Sequence, residues 1–235
     1  MTSQEGVQQA AVEYAKTHKK EIAHELTDLT KFPADPEPVV VFMAGSPGAG
    51  KTEASERLIE RFSGDGHRVL RIDSDDLRTR LPGYTGQNSS LFQGATSIIA
   101  DKMQDEAIEQ RQSYVFDGTL ANLERARENI QRCLSHGYAV QILYVYQNPE
   151  QAWKFVKARE IRDGRMVPKE AFIEQYFTAR ENVNALKKEF ASKIRVDLIV
   201  KNIDGTDFRY KENVSAVDNF IPERYTREAL DQLIQ

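Results

Sequence analysis

Residues 39–62, "VVVFMAGSPGAGKTEASERLIERF", constrain the fold more than any other stretch. Val39–Ala44 is an unbroken apolar run, the pattern of a strand buried on both faces. It leads into Gly45-Ser46-Pro47-Gly48-Ala49-Gly50-Lys51-Thr52, a complete G-x-x-x-x-G-K-T sequence, and then into a helical stretch, Thr52–Phe62. Glycines let successive backbone N–H groups point inward at anionic oxygens, and the helix opening behind them adds its positive end. Lys51 supplies a point charge for β- and γ-phosphates, and Thr52 a hydroxyl for Mg²⁺. The stretch therefore predicts a nucleoside triphosphate site lined by Gly45 to Thr52. Such a loop reads phosphate rather than base, so ATP is expected and GTP fits the same pattern.

The rest of the chain repeats the alternation. Apolar runs "HRVLRID" (67–73), "SYVFDG" (113–118), "YAVQILYVY" (138–146) and "RVDLIV" (195–200) are separated by helical stretches near 89–111, at 122–135 and onward from Pro149. Strands alternating with helices imply parallel pairing with helices on both faces. The expected architecture is α/β: a P-loop kinase-type three-layer fold with a mainly parallel five-stranded sheet. Residues 5–31 place Val7, Ala10, Ala11, Tyr14, Ile22, Ala23 and Leu26 at mostly helical spacing, which predicts an amphipathic helix packed on the core. "KFPADPEP" breaks it with three prolines in eight residues. Residues 1–32 are thus read as an N-terminal helix and linker, and 33–235 as the kinase domain.

Lys and Arg number 32 against 36 Asp and Glu, a net charge of −4. That balance offers no bulk attraction to nucleic acid or anionic lipid, so a small-molecule substrate is the expected partner. The single Cys133 excludes an intrachain disulfide and suits a reducing compartment. No apolar run approaches the roughly 20 residues that span a bilayer. The expected location is cytoplasmic, without membrane association.

A GTPase switch would carry D-x-x-G after the third strand and N-K-x-D for guanine, and neither occurs in a suitable place. Instead, "RIDSDDLR" (71–78), "FDGTL" (116–120) and "AREIRDGRMVP" (158–168) follow the second, third and fourth strands. Side chains beyond neighbouring parallel strands converge at the carboxyl edge of the sheet, so Asp73, Asp75 and Asp117 are expected near the γ-phosphate. A hydroxyl acceptor needs a carboxylate to orient it and take its proton, and Mg²⁺ needs oxygen ligands. Asp75 is expected in the first role and Asp117, with Thr52, in the second; Asp73 and Asp117 are also expected on the substrate side. "SDDL" is equally a good helix start, and both readings can hold together. Arg159, Arg162 and Arg165 sit on a corner broken by Gly164 and Pro168, which predicts a lid over the triphosphate. "PGYTGQNSS" (82–90) is expected to face the acceptor, with Tyr84 able to stack on a base.

Taken together, "AGSPGAGKT", "RIDSDDLR", "DEAIEQRQSYVFDGTL", "GYAVQILYVYQNPEQAW" and "AREIRDGRMVPKEAF" resemble, in order, the motifs of the zeta toxin family of bacterial phosphotransferases. The resemblance runs from about Val39 to Val200. It implies a kinase that uses ATP and Mg²⁺ to phosphorylate the 3′-hydroxyl of the sugar in UDP-N-acetylglucosamine, and a small helical antitoxin able to block the ATP site. By the same resemblance, Lys51 and Thr52 serve ATP and Mg²⁺, Asp75 is the catalytic base and Glu106 contacts the sugar. Thr119 matches the threonine of an E-G-T motif, and Arg159 and Arg165 match two lid arginines. The chain departs from the family in two places: Asp117 stands for the glutamate of E-G-T, and Ala121 for an arginine found in plasmid-borne toxins. Arg125 and Arg127, one helical turn on, are the candidate substitutes. Two other readings remain: a kinase for another small metabolite or a nucleic-acid hydroxyl, and a nucleotide-dependent regulatory module without transfer activity.

Overall fold

A computed structural model describes residues 3–62 and 68–234, so His67, the first residue of the second expected strand, lies outside the described residues. The strands are β1 (Val39–Ala44), β2 (Leu70–Asp73), β3 (Tyr114–Asp117), β4 (Ala139–Tyr146), β5 (Ile194–Lys201) and β6 (Asp207–Lys211). The helices are α1 (Ser3–Leu26), α2 (Lys51–Phe62), α3 (Ser74–Arg78), α4 (Gln93–Glu109), α5 (Leu123–Ser135), α6 (Pro149–Asp163), α7 (Lys169–Phe190) and α8 (Arg227–Leu233). The sheet order is β2-β3-β1-β4-β5-β6, and the first five strands in this order are mutually parallel. The chain leaves central β1 toward one side and later crosses to β4 on the other. The phosphate loop therefore emerges at the switch point, where a crevice opens beyond the strand ends.

The strand count departs from expectation. A sixth strand, β6, pairs antiparallel with β5 at the edge. Its sequence, "DFRYK", has no apolar run because an edge strand has a neighbour on one side only and need not be buried. Between β5 and β6, "NIDG" forms a tight turn closed by the Asn202 N–H on the Thr206 carbonyl at 2.7 Å.

Alternation along β1 divides the core. Val40, Phe42 and Ala44 face the larger cluster, shared with Ala15 and Ala23 of α1, Ile99 and Met103 of α4, Ile130 of α5 and Phe172 of α7. Val41 and Met43 face a smaller cluster, which α2 covers with Ala54, Leu58 and Ile59. The helix carrying the phosphate loop thus has one face of the sheet largely to itself. α1 lies along α4 and buries Ala11, Ala15, Ile22 and Ala23. Among the described residues, no helix is long and apolar enough to cross a membrane.

One buried cation ties the edge of the sheet to the phosphate loop. The Lys201 side chain, 1% exposed, pairs with Asp207 at 3.0 Å and Glu53 of α2 at 3.4 Å. A β-carbon at Gly50 would meet its Cε and Nζ at 3.3 Å. Lys201→Ala should lower stability by about 3 kcal/mol in chemical denaturation, because it opens a void and strips Glu53 of its partner, leaving Asp207 with Arg57.

Candidate active site

The phosphate loop wraps closely around its neighbours. The Gly45 N–H donates to the Thr119 carbonyl at 3.4 Å, holding the loop to the segment after β3. Gly48 has a φ of +73°, and a β-carbon there would lie 2.1 Å from the Ala152 carbonyl oxygen of α6. Loop and lid helix touch backbone to backbone. The Lys51 ammonium donates to the Gly45 and Ser46 carbonyls at 3.0 and 2.7 Å. Burial draws its pKa down to about 8, while Asp117 and Asp75 pull it back up. A cation already deprived of water is well prepared to take phosphate oxygens as partners.

β2 and β3 end side by side, with Asp73 and Asp117 as register partners. The Ser55 hydroxyl lies 2.8 Å from the Thr52 carbonyl and 3.1 Å from Asp117 Oδ2, which sets Asp117 against the first turn of α2. Asp73 caps α3 by accepting from the Asp75 N–H at 2.8 Å. Burial, then the neighbouring Asp117 and Asp75, push the Asp73 carboxyl up to about 7. Arg71 bridges the pair, donating through Nη2 to Asp73 and, at 3.0 Å, to Asp117.

Asp75 is the meeting point of the lid and the sheet. It accepts from Arg78 within its own short helix, from Arg165 of the lid corner, and from Arg159 of α6 at 3.4 Å. Arg78 is buried and also donates to Gln93 at 2.7 Å. Asn148 starts α6 by accepting from the Glu150 and Gln151 N–H groups, and Gly164, at φ 70°, ends it. The corner that follows turns Arg165 inward. Asp117 meets the first turn of α2 through Ser55, α6 meets the loop at Gly48, and Asp75 holds Arg159 and Arg165, so the carboxylates and the lid gather beside the phosphate loop.

A sequence profile of the zeta toxin family matches residues 22–215. The chain belongs to the zeta toxin family. Solved structures of low identity share its fold. The PezAT toxin–antitoxin system of Streptococcus pneumoniae aligns with a TM-score of 0.64 at 15% identity, covering 95% of this chain and 87% of that one. The AvrRxo1-ORF1:-ORF2 complex with ATP aligns at 0.58 and 14% identity, over 88% of this chain and 65% of that one. A chain of the Pnkp1/Rnl/Hen1 RNA repair complex aligns at 0.50 and 14% identity, over 78% of this chain and 50% of that one. Among curated proteins, none matches this chain.

Within this zeta toxin family fold, several expected residues lie away from the centre. Glu106 sits near the end of α4, where it pairs with Lys102 at 3.4 Å and accepts from the Thr27 hydroxyl at 3.2 Å. The next residue, Ala107, accepts from Gln112 and Tyr138, which precede β3 and β4. Glu106 therefore stands at the amino edge of the sheet, opposite the phosphate loop, because a crossover helix returns the chain to that edge. Arg162 faces solvent and pairs with Asp163 at 2.7 Å. Tyr84 packs edge-on against Phe92, at 5.6 Å between ring centroids, while the adjoining Gly86 backbone rests on the Asp163 carbonyl of the lid. Arg125 pairs with Asp101, and Arg127 with Glu124 and Glu189.

Sequence reasoning missed Arg71, Arg78, Ser55 and Lys201. Two of these carried a local signal. Arg71 lies two residues before Asp73 in a strand and so shares its face. Arg78 lies three residues after Asp75 in a helix, also on one face. Lys201 comes 148 residues after its partner Glu53 and carried none.

Proposed function

We propose that this zeta toxin family chain is a P-loop kinase that transfers the γ-phosphoryl group of ATP to a sugar hydroxyl, with UDP-N-acetylglucosamine as acceptor. The observation that carries the reading is the meeting of Arg159 and Arg165 on Asp75, with α6 packed against the phosphate loop at Gly48. Asp75 orients the acceptor hydroxyl and takes its proton as the oxygen attacks the γ-phosphorus and the bond to the β–γ bridging oxygen breaks. Lys51 and the loop N–H groups hold the β- and γ-oxygens. Arg159 and Arg165 leave Asp75 for the equatorial oxygens, where charge gathers in the transition state. Thr52 and Asp117 fit Mg²⁺ by chemistry: a hydroxyl and a carboxylate are hard oxygen donors, and Ser55, one turn into α2, holds Asp117 at 3.1 Å from its hydroxyl. When bound, the metal neutralises the phosphate oxygens and leaves ADP a better leaving group.

The site is two-sided. Beyond β4 and β5 lies a cavity of about 200 Å³ lined in part by Tyr146, Asn148, Lys201, Asn202 and Glu223, which suits the nucleoside of the donor. The acceptor then approaches over β2 and β3, beside Asp75. A helical antitoxin covering the phosphate loop belongs to the same reading, which the family and the toxin–antitoxin character of PezAT support.

Arg165→Ala should lower kcat by about 10³-fold, as loss of an arginine that screens a transferring phosphoryl group does. Arg162→Ala should leave kcat within about threefold, since its partner is an exposed neighbour. ADP release under saturating substrate measures both. Mass spectrometry of UDP-sugars incubated with the protein and ATP tests the acceptor, with a phosphorylated UDP-N-acetylglucosamine as the expected product. Labelling of another metabolite alone would overturn the acceptor and keep the kinase. Ala121, with Arg125 and Arg127 paired elsewhere, favours that second reading, a different small hydroxyl acceptor.

A further inference from the structure

Arg71 is the group this reading leaves without a task. It projects from β2 on the same face as Asp73, and its Nη2 reaches one oxygen of Asp73 and the Oδ2 of Asp117 together. Its Nη1 lies 3.3 Å from Asp76 and 3.9 Å from Glu56, so one guanidinium faces four carboxylates. Its Nε is buried without a hydrogen-bond partner, so the two paired aspartates dictate its position more than its own full pairing does. Asp73 and Asp117 are almost fully enclosed at neighbouring strand ends, where two negative charges repel unless a cation stands between them.

That cation is also an obstacle. Asp117 is one of the oxygens that suit Mg²⁺, and Arg71 already donates to it. Among the described residues, no group of three His, Cys, Asp or Glu side chains is placed to hold a metal ion by itself. A divalent ion arriving alone would meet a fixed positive charge and too few protein ligands. A triphosphate changes both conditions, because it brings negative charge and its own oxygens.

We propose that Arg71 is a resident countercation that keeps divalent metal away from the Asp73–Asp117 pair until a triphosphate arrives, so that metal enters with nucleotide and not before. This rests on the triphosphate reading of the phosphate loop. Arg71 is a positioning residue: it holds the two carboxylates in place and is itself displaced when the metal takes Asp117.

Mn²⁺ binding to the full chain, followed by electron paramagnetic resonance with and without a non-hydrolysable ATP analogue, tests the proposal. Wild type should bind Mn²⁺ far more weakly without the analogue than with it. Arg71→Gln should bind Mn²⁺ without nucleotide about 100-fold more tightly than wild type, as expected for removing a unit charge a few ångströms from the ion. Arg71→Lys keeps the charge and should keep the exclusion. A folded Arg71→Gln that takes up metal no better than wild type would overturn the proposal. If Arg71→Gln fails to fold, the wild-type guanidinium resonances decide: Arg71 should shift when Mg²⁺ joins the analogue complex, and an unmoved signal overturns the idea. Tight Mn²⁺ uptake by nucleotide-free wild type, with the analogue also binding, would sink this proposal alone. Failure of the analogue to bind at all would sink the triphosphate reading and this with it.

Discussion

Asp75→Asn should lower kcat by about 10³-fold while leaving affinity for a non-hydrolysable ATP analogue within about threefold. The amide matches the carboxylate in size and still accepts a hydrogen bond, but it does not take a proton at neutral pH. It also offers no negative charge to Arg159 and Arg165, so the resting closure of the lid on Asp75 is lost. Analogue binding should persist because the proposed phosphate contacts belong to Gly45–Thr52, with Lys51 held by the loop's own carbonyls. Buried Arg78 would lose its charged partner and keep Gln93, which should cost about 2 kcal/mol of stability. Calorimetry for the analogue, thermal melting for the fold and ADP release for turnover separate the three effects. Asp76→Asn is the control: its side chain is 69% exposed and pairs with Arg71 at 3.3 Å, so turnover should stay near wild type. Turnover within tenfold of wild type in Asp75→Asn would remove Asp75 from the chemistry.

Gly48→Ala should be severely damaging to both fold and nucleotide binding. A β-carbon there would stand 2.1 Å from the Ala152 oxygen and 3.0 Å from its carbon, both backbone atoms that cannot rotate aside. The phosphate loop and α6 would have to separate, and alanine must also hold a φ of +73°. Strain and overpacking together should cost roughly 3–5 kcal/mol. Because the same movement opens the cradle, affinity for the analogue should fall more than about 100-fold, equivalent to about 3 kcal/mol of binding free energy. Gly137→Ala isolates the cause. Gly137 also has a positive φ, +78°, but nothing lies within 4 Å of its missing β-carbon. That substitution should cost only about 1 kcal/mol and leave nucleotide binding alone. Equal losses at the two positions would mean that backbone conformation, and not the contact with α6, governs the loop.

The legible parts of this protein were those in which neighbours in sequence are neighbours in space. Gly45–Thr52 form their cradle as consecutive residues, so a pattern read along the chain is a pattern in three dimensions. The five parallel strands were legible because burial on both faces forces apolar runs. β6 was not, since an edge strand can be as polar as "DFRYK". The joining of Asp75 to Arg165, 90 residues apart, was reachable only through the rule that strand ends converge. The same chain geometry removes Glu106 from the centre, because a residue late in a crossover helix has returned to the opposite edge.

The amino-acid sequence by itself determined the phosphate cradle, the parallel sheet and the set of charges at its carboxyl edge, because each depends on local spacing and on which residues avoid water. Tertiary structure alone decided how those charges are shared. Three arginines meet on Asp75, one guanidinium spans Asp73 and Asp117, Lys201 braces the phosphate loop from the far end of the chain, and Arg162 is left in solvent. The physical reason is that an ion pair depends on distances of a few ångströms between side chains whose backbones lie tens of residues apart. Only the packed sheet sets those distances.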